Sequence, residues 1–86
     1  MGKSFKKVES EVKEEFYQLV LNVEISDFER EKLLIAKNLI ESGEFLPNVL
    51  RRIQVTFTGL ALKNDLSPAV SMFYASLPKK LREVQI

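Results

Sequence analysis

Apolar residues recur along most of this chain at intervals of three and four, the spacing that places them on one side of a helix. Phe5, Val8, Val12, Phe16, Leu19, Val20 and Val23 form a first stripe, with Glu9, Glu11, Lys13, Glu14 and Glu15 off it. Ser4 is the expected N-cap, and the segment closes between Asn22 and Glu24. A second stripe runs through Leu33, Ala36, Leu39 and Ile40, with Leu34 at its edge and Ile25 expected in the core just ahead of it. Ser26 followed by Glu29 is a capping-box pattern that marks where this helix starts. Gly43 marks its end, because glycine accepts a left-handed conformation at low cost.

A third stripe, Val49, Leu50, Ile53, Phe57, Leu60 and Ala61, begins near Pro47, whose missing N–H has no helical partner in a first turn anyway. Within it, Ile53-Gln54-Val55-Thr56-Phe57-Thr58 also alternates like a strand. The helical stripe outlasts that alternation and no partner strand is visible, so a helix is expected. Gly59 inside it costs ~1 kcal/mol relative to alanine, which close approach of another helix would explain. Ser67 as N-cap and Pro68 in the first turn open a fourth stripe of Val70, Phe73, Tyr74 and Leu77. Pro78 disfavours helix at Leu77 and removes a backbone donor.

The pattern predicts a single all-α domain over residues 1–86, an antiparallel up-down-up-down four-helix bundle. Its helices are expected at about 4–22, 27–42, 47–63 and 68–77. The fourth is short, and residues 78–86 form a kinked or loose C-terminal segment.

Composition narrows the chemistry. There is no cysteine and no histidine, which removes disulfides, thiolate nucleophiles, the commonest metal ligand and the commonest acid–base group. Three glycines cannot build a glycine-rich phosphate cradle. The carboxylates Glu11, Glu14, Glu15, Asp27, Glu29 and Glu31 alternate with Lys13, Arg30 and Lys32 off the apolar stripes, as a solvated face does. No facing carboxyl pair suggests glycoside chemistry. No metal, no cofactor and no enzymatic activity are expected.

Net charge is +1, too small for a general polyanion binder. The first 43 residues hold 7 basic and 9 acidic side chains, the last 43 hold 6 and 3. Leu60 to Leu77 superficially resembles a helix–turn–helix, but its second helix offers only Ser67, Ser71, Tyr74 and Ser76 as polar groups. Base edges are read by Arg, Lys, Asn or Gln, so no nucleic-acid binding is expected. No apolar run approaches a membrane span, and the charged N-terminus, with Gly2 outside a full myristoylation motif, is not a signal peptide. A cytoplasmic protein is the expectation.

Lys79, Lys80 and Arg82 cluster after Pro78, and Arg51 and Arg52 sit early in helix three. Such cations complement helix termini and keep a surface solvated. Beside an aromatic helix they also suit an anionic membrane surface or a protein partner.

Ile25-Ser26-Asp27-Phe28-Glu29-Arg30, Leu33 to Asn38, and Glu41 to Pro47 together resemble the enterocin A immunity family, which protects producers of class IIa (pediocin-like) bacteriocins. Leu60 to Pro68 and Phe73-Tyr74 extend the resemblance, which covers roughly residues 8–77. It implies a left-turning four-helix bundle in the cytoplasm of a Gram-positive bacterium, with possible peripheral membrane contact. The implied partner is the bacteriocin bound to the membrane part of the mannose permease, whose leak the protein blocks. Specificity in this family is associated with the C-terminal half. Here that points to Lys63 at the end of helix three, to Phe73 and Tyr74, and to Lys79, Lys80, Leu81 and Arg82. The sequence departs from the longer members of that family by stopping soon after Pro78. The alternative reading is a small non-catalytic regulatory or scaffold bundle that binds another protein beside helix four.

Overall fold

The computed structural model describes residues 5–84, with side chains from Lys7 onward. The N-cap expected at Ser4 lies outside the described residues. Four helices follow in order: α1 (Phe5–Leu21), α2 (Asp27–Glu41), α3 (Leu46–Leu62) and α4 (Pro68–Val84). Each packs on its neighbours in the chain, and α4 returns to α1, so the four enclose one core. No strand occurs among the described residues, and Val55 is an exposed helical residue.

The core is made by the periodic positions. Val12, Phe16, Leu33, Leu50, Phe57, Val70 and Leu77 are essentially shut off from solvent. Phe16 of α1 meets Phe73 of α4 edge to face, ring centroids 5.1 Å apart, an arrangement that matches positive ring edge to negative ring face. Ile25 is buried as its spacing predicts, whereas Val23, expected on the first stripe, is exposed. The reason is local: α1 stops at Leu21, the Asn22 N–H turns back to the Leu19 carbonyl, and the Asn22 side chain accepts the Glu24 N–H.

The helix ends are closed by side chains and by tight turns. Ser26 and Glu29 form a complete capping box: the Ser26 hydroxyl accepts from the Glu29 N–H, and the Glu29 carboxylate accepts from the Ser26 N–H at 2.7 Å. Gly43 adopts φ +96°, with its N–H on the Ile40 carbonyl and that of Glu44 on Leu39. This is the Schellman closure. Asn64, at φ 58°, closes α3 the same way, through Asn64 to Ala61 and Asp65 to Leu60. Arg30 donates to the Val20 carbonyl, bringing a cation to the C-terminal end of α1.

Three expectations are corrected. The fourth helix is not short: it continues through Pro78 to Val84, where a kinked or loose segment was expected. Pro78 removes one backbone bond, but Leu77 and Val84 are buried and Leu81 packs against the core. Burying that apolar surface outweighs one missing bond. Ser67 does stand at the start of α4, and its carbonyl accepts the Ser71 N–H. Its hydroxyl, however, is given to Glu29 on α2 at 2.5 Å. Gly59 is exposed, and a Cβ there would meet nothing within 4 Å, so no helix approaches it closely.

Glu29 is the one buried charged residue among those described, at 1% exposure. Its carboxylate accepts the Ser26 N–H, the Ser67 N–H at 2.8 Å and the Ser67 hydroxyl. Burial raises its pKa, but the hydrogen bonds from Ser67 and Ser26 outweigh burial and hold it below its ordinary value of 4.5. A carboxyl depressed by folding stabilises the native state above its unfolded pKa and loses that contribution as pH falls through the folded value. Unfolding should therefore become easier as pH drops below about 4.5. Glu29→Gln should lower stability by about 2–3 kcal/mol, since an amide turns a donor toward an N–H or hydroxyl, and should flatten that acid dependence. Urea unfolding from pH 7 to pH 3 checks both. Gly59→Ala should instead raise stability by about 1 kcal/mol, read as a higher urea midpoint.

Candidate functional site

The candidate residues at the C-terminal end of the chain are placed by α4 and by the way it leans on α1. Ala69, Phe73, Ser76 and Lys80 are spaced by four, three and four, so they share one face of α4. That face meets Glu14, Glu15, Gln18 and Leu19 of α1 across an open cleft of about 490 Å³. Its lining includes apolar Leu19, Ala69 and Phe73, and the exposed Met72 also borders it.

Lys80 closes one end of the cleft. Its ammonium lies 3.0 Å from the Glu15 carboxylate, donates to the Ser76 hydroxyl at 2.6 Å, and stands 5.4 Å above the Phe73 ring. The Ser76 hydroxyl in turn donates to the Phe73 carbonyl. The Lys80 side chain is only 12% exposed. Its aliphatic stem covers apolar surface while its head spans the two helices. Beyond this bridge lies a second, more polar cleft of about 220 Å³, bordered by Glu11, Lys79 and Glu83. The α1–α4 seam thus has an apolar half and a charged half, divided by one ion pair.

The sequence-predicted site residues are distributed unevenly over this geometry. Lys79 and Arg82 are exposed, three residues apart on the last turns of α4, and Arg82 complements the helix dipole there. Lys80 is engaged within the protein. Phe73 is buried and lines the cleft, and Leu81 is half-buried against the core. Tyr74 is half-buried, its hydroxyl 3.1 Å from the Thr58 hydroxyl of α3. Lys63 is exposed at the end of α3, beside the start of α4. Lys79 to Arg82 lie 11–14 residues further along that helix, roughly 16–21 Å away along the axis, so Lys63 does not join them. Phe45, whose class is more often core, is exposed at the start of α3.

Glu15, Ser76 and Met72 were not among the expected site residues. The spacing from Ala69 to Lys80 was visible in the sequence. The partner that Lys80 would find on α1, more than sixty residues away, was not.

No cluster of three or more potential metal ligands occurs among the described residues. None of their helices is long and apolar enough to cross a membrane. What the described surface presents is a cleft and exposed cations on a helical frame. The family model for bacteriocin immunity proteins matches residues 7–82, and the chain belongs to that family. No curated protein and no solved structure matches the chain.

The Lys80–Glu15 contact is partly solvated, so it is worth less than a buried pair. Lys80→Met, which keeps the stem and removes the charge, should lower stability by no more than about 1 kcal/mol. Glu15→Gln should add little on top of it. A double-mutant cycle by urea unfolding measures that coupling.

Proposed function

We propose that this protein protects a Gram-positive producer cell against a class IIa (pediocin-like) bacteriocin. It acts from the cytoplasmic side, without catalysis, by binding the complex of bacteriocin and mannose permease and blocking the leak. The match to the bacteriocin immunity family over residues 7–82 carries this reading.

The geometry supports α4 as the docking element. Lys79 and Arg82 have no ion-pair partner among the described residues and point two cations outward from the last turns of an otherwise well-anchored helix. On the other side of the Lys80 bridge the apolar cleft offers Leu19, Met72 and Phe73. Exposed cations past the bridge and apolar surface before it favour a partner that presents acidic and apolar groups in succession along α4, and long-range attraction speeds the encounter. Lys80, Leu81 and Tyr74 contribute by holding α4 in place, and Phe73 by lining the cleft. Lys63 contacts the partner only if the interface extends along the whole helix.

Expression in a sensitive strain should raise the inhibitory concentration of at least one class IIa bacteriocin. Lys79→Glu with Arg82→Glu should cut that protection about tenfold or more, with circular dichroism unchanged. Full protection by the double variant would remove α4 from the interface. Absence of protection by the parent against every class IIa bacteriocin tried would instead favour a scaffold or regulatory bundle with a different partner.

A further inference from the structure

The opposite side of the bundle carries a second surface, which the α4 reading does not use. On α2, Phe28, Lys32, Ile35 and Leu39 are spaced by four, three and four. On α3, Arg52, Thr56, Gly59 and Lys63 repeat the same spacing. Each set therefore lies along one helix face, with Lys63 at the C-cap of α3, and Lys32, Ile35 and Leu39 of the first meet Arg52 and Thr56 of the second at a cleft of about 160 Å³. Ala36, Leu39, Val49 and Ile53 give it an apolar floor. Ile35 lines it at 47% exposure, and Phe28, one turn before Lys32 on the same face, is 46% exposed, an apolar area that the fold itself leaves in water.

The two charged side chains that line the cleft, Lys32 and Arg52, are both cations, and Lys63 lies further along the α3 face. Arg52 and Lys63 have no carboxylate within ion-pair distance among the described residues, and Lys32 has only Glu31, at 3.9 Å. Lys32 also lies 5.4 Å above the Phe28 ring, which keeps its ammonium at the edge of the apolar strip. Gly59 completes the pattern. It weakens α3 by about 1 kcal/mol, yet none of the described residues requires it, since a Cβ would meet nothing within 4 Å. A helix that gives up stability for an absent side chain on its outer face leaves room there for another backbone.

We propose that the α2–α3 face is a docking groove for an acidic amphipathic helix of a partner protein. Apolar residues of the incoming helix cover the floor between Phe28 and Ile35, carboxylates on its flanks meet Lys32, Arg52 and Lys63, and its backbone crosses closest at Gly59. This is the helix-in-groove mode of recognition. A second copy in two-fold arrangement sets these cations against themselves. A lipid surface rewards protruding apolar side chains, whereas the midline here is a recess beside a glycine.

The probe is a synthetic helical peptide of roughly 18 residues, about 27 Å long, with leucines three and four apart and glutamates on both flanks. Its control has lysines in place of the glutamates. Titrated into the isotopically labelled full chain, the glutamate peptide should shift amide signals along 28–39 and 52–63, and the lysine peptide should not. The triple variant Lys32→Glu, Arg52→Glu, Lys63→Glu should bind at least about tenfold more weakly. Gly59→Gln should bind more weakly too while unfolding at higher urea, a combination that loss of structure cannot produce. Failure of the glutamate peptide to bind, or shifts confined to the α1–α4 seam, would overturn the proposal. So would binding to phosphatidylglycerol vesicles that depends on the same three cations without peptide binding, or a dimer abolished by Arg52→Glu. None of these outcomes touches the immunity assay, so the two readings fail separately.

Discussion

A carboxylate with almost no access to water must be met by donors on every side, and Glu29 meets this requirement by joining two helices that are diagonal to one another in the bundle. In an up-down-up-down bundle the second and fourth helices run parallel, so their N-termini share one end of the molecule. Each N-terminus leaves backbone N–H groups without helical partners. Glu29 supplies acceptors for Ser26 at the start of α2 and for Ser67 at the start of α4. The contact spans 38 residues of sequence and satisfies the groups at both ends. An uncompensated charge at that depth would be strongly destabilising, whereas here the hydrogen bonds from Ser67 and Ser26 oppose burial and hold the carboxyl below its ordinary pKa.

With one end of α4 held by Glu29, the other end is held by Lys80 on Glu15 and by the burial of Leu77 and Val84. Pro78 lies between these anchors. A proline in a helix interior costs a hydrogen bond and some strain, and here tertiary contacts on both sides of it outweigh that cost. The consequence for function is direct. Lys79 and Arg82 ride on a defined helical surface and are displayed at fixed spacing. Docking through a preformed helix avoids the ordering cost that a flexible tail carries.

The bundle divides its surface electrically. Along the α1–α4 seam opposite charges neutralise one another, and the exposed cations begin past the Lys80 bridge. Along the α2–α3 seam cations and apolar side chains face solvent together. The near-neutral total conceals both facts, because net charge sums over faces that a partner meets one at a time. This chain of the bacteriocin immunity family thus displays two faces of different charge on one helical frame.

The sequence by itself determined the four helices, the capping box at Ser26 and Glu29, the turn at Gly43 and nearly all of the core. Each of these rests on residues within one or two helical turns, where periodicity and backbone preference act directly. Tertiary structure alone decided that Ser67 serves α2 as well as α4, that Pro78 interrupts nothing, that Lys80 is bound while Lys79 is free, and that Gly59 faces open space. Those outcomes depend on which surfaces lie opposite one another once the chain has closed. Spacing along one helix states what a face carries, and only the packing of the bundle states what that face meets.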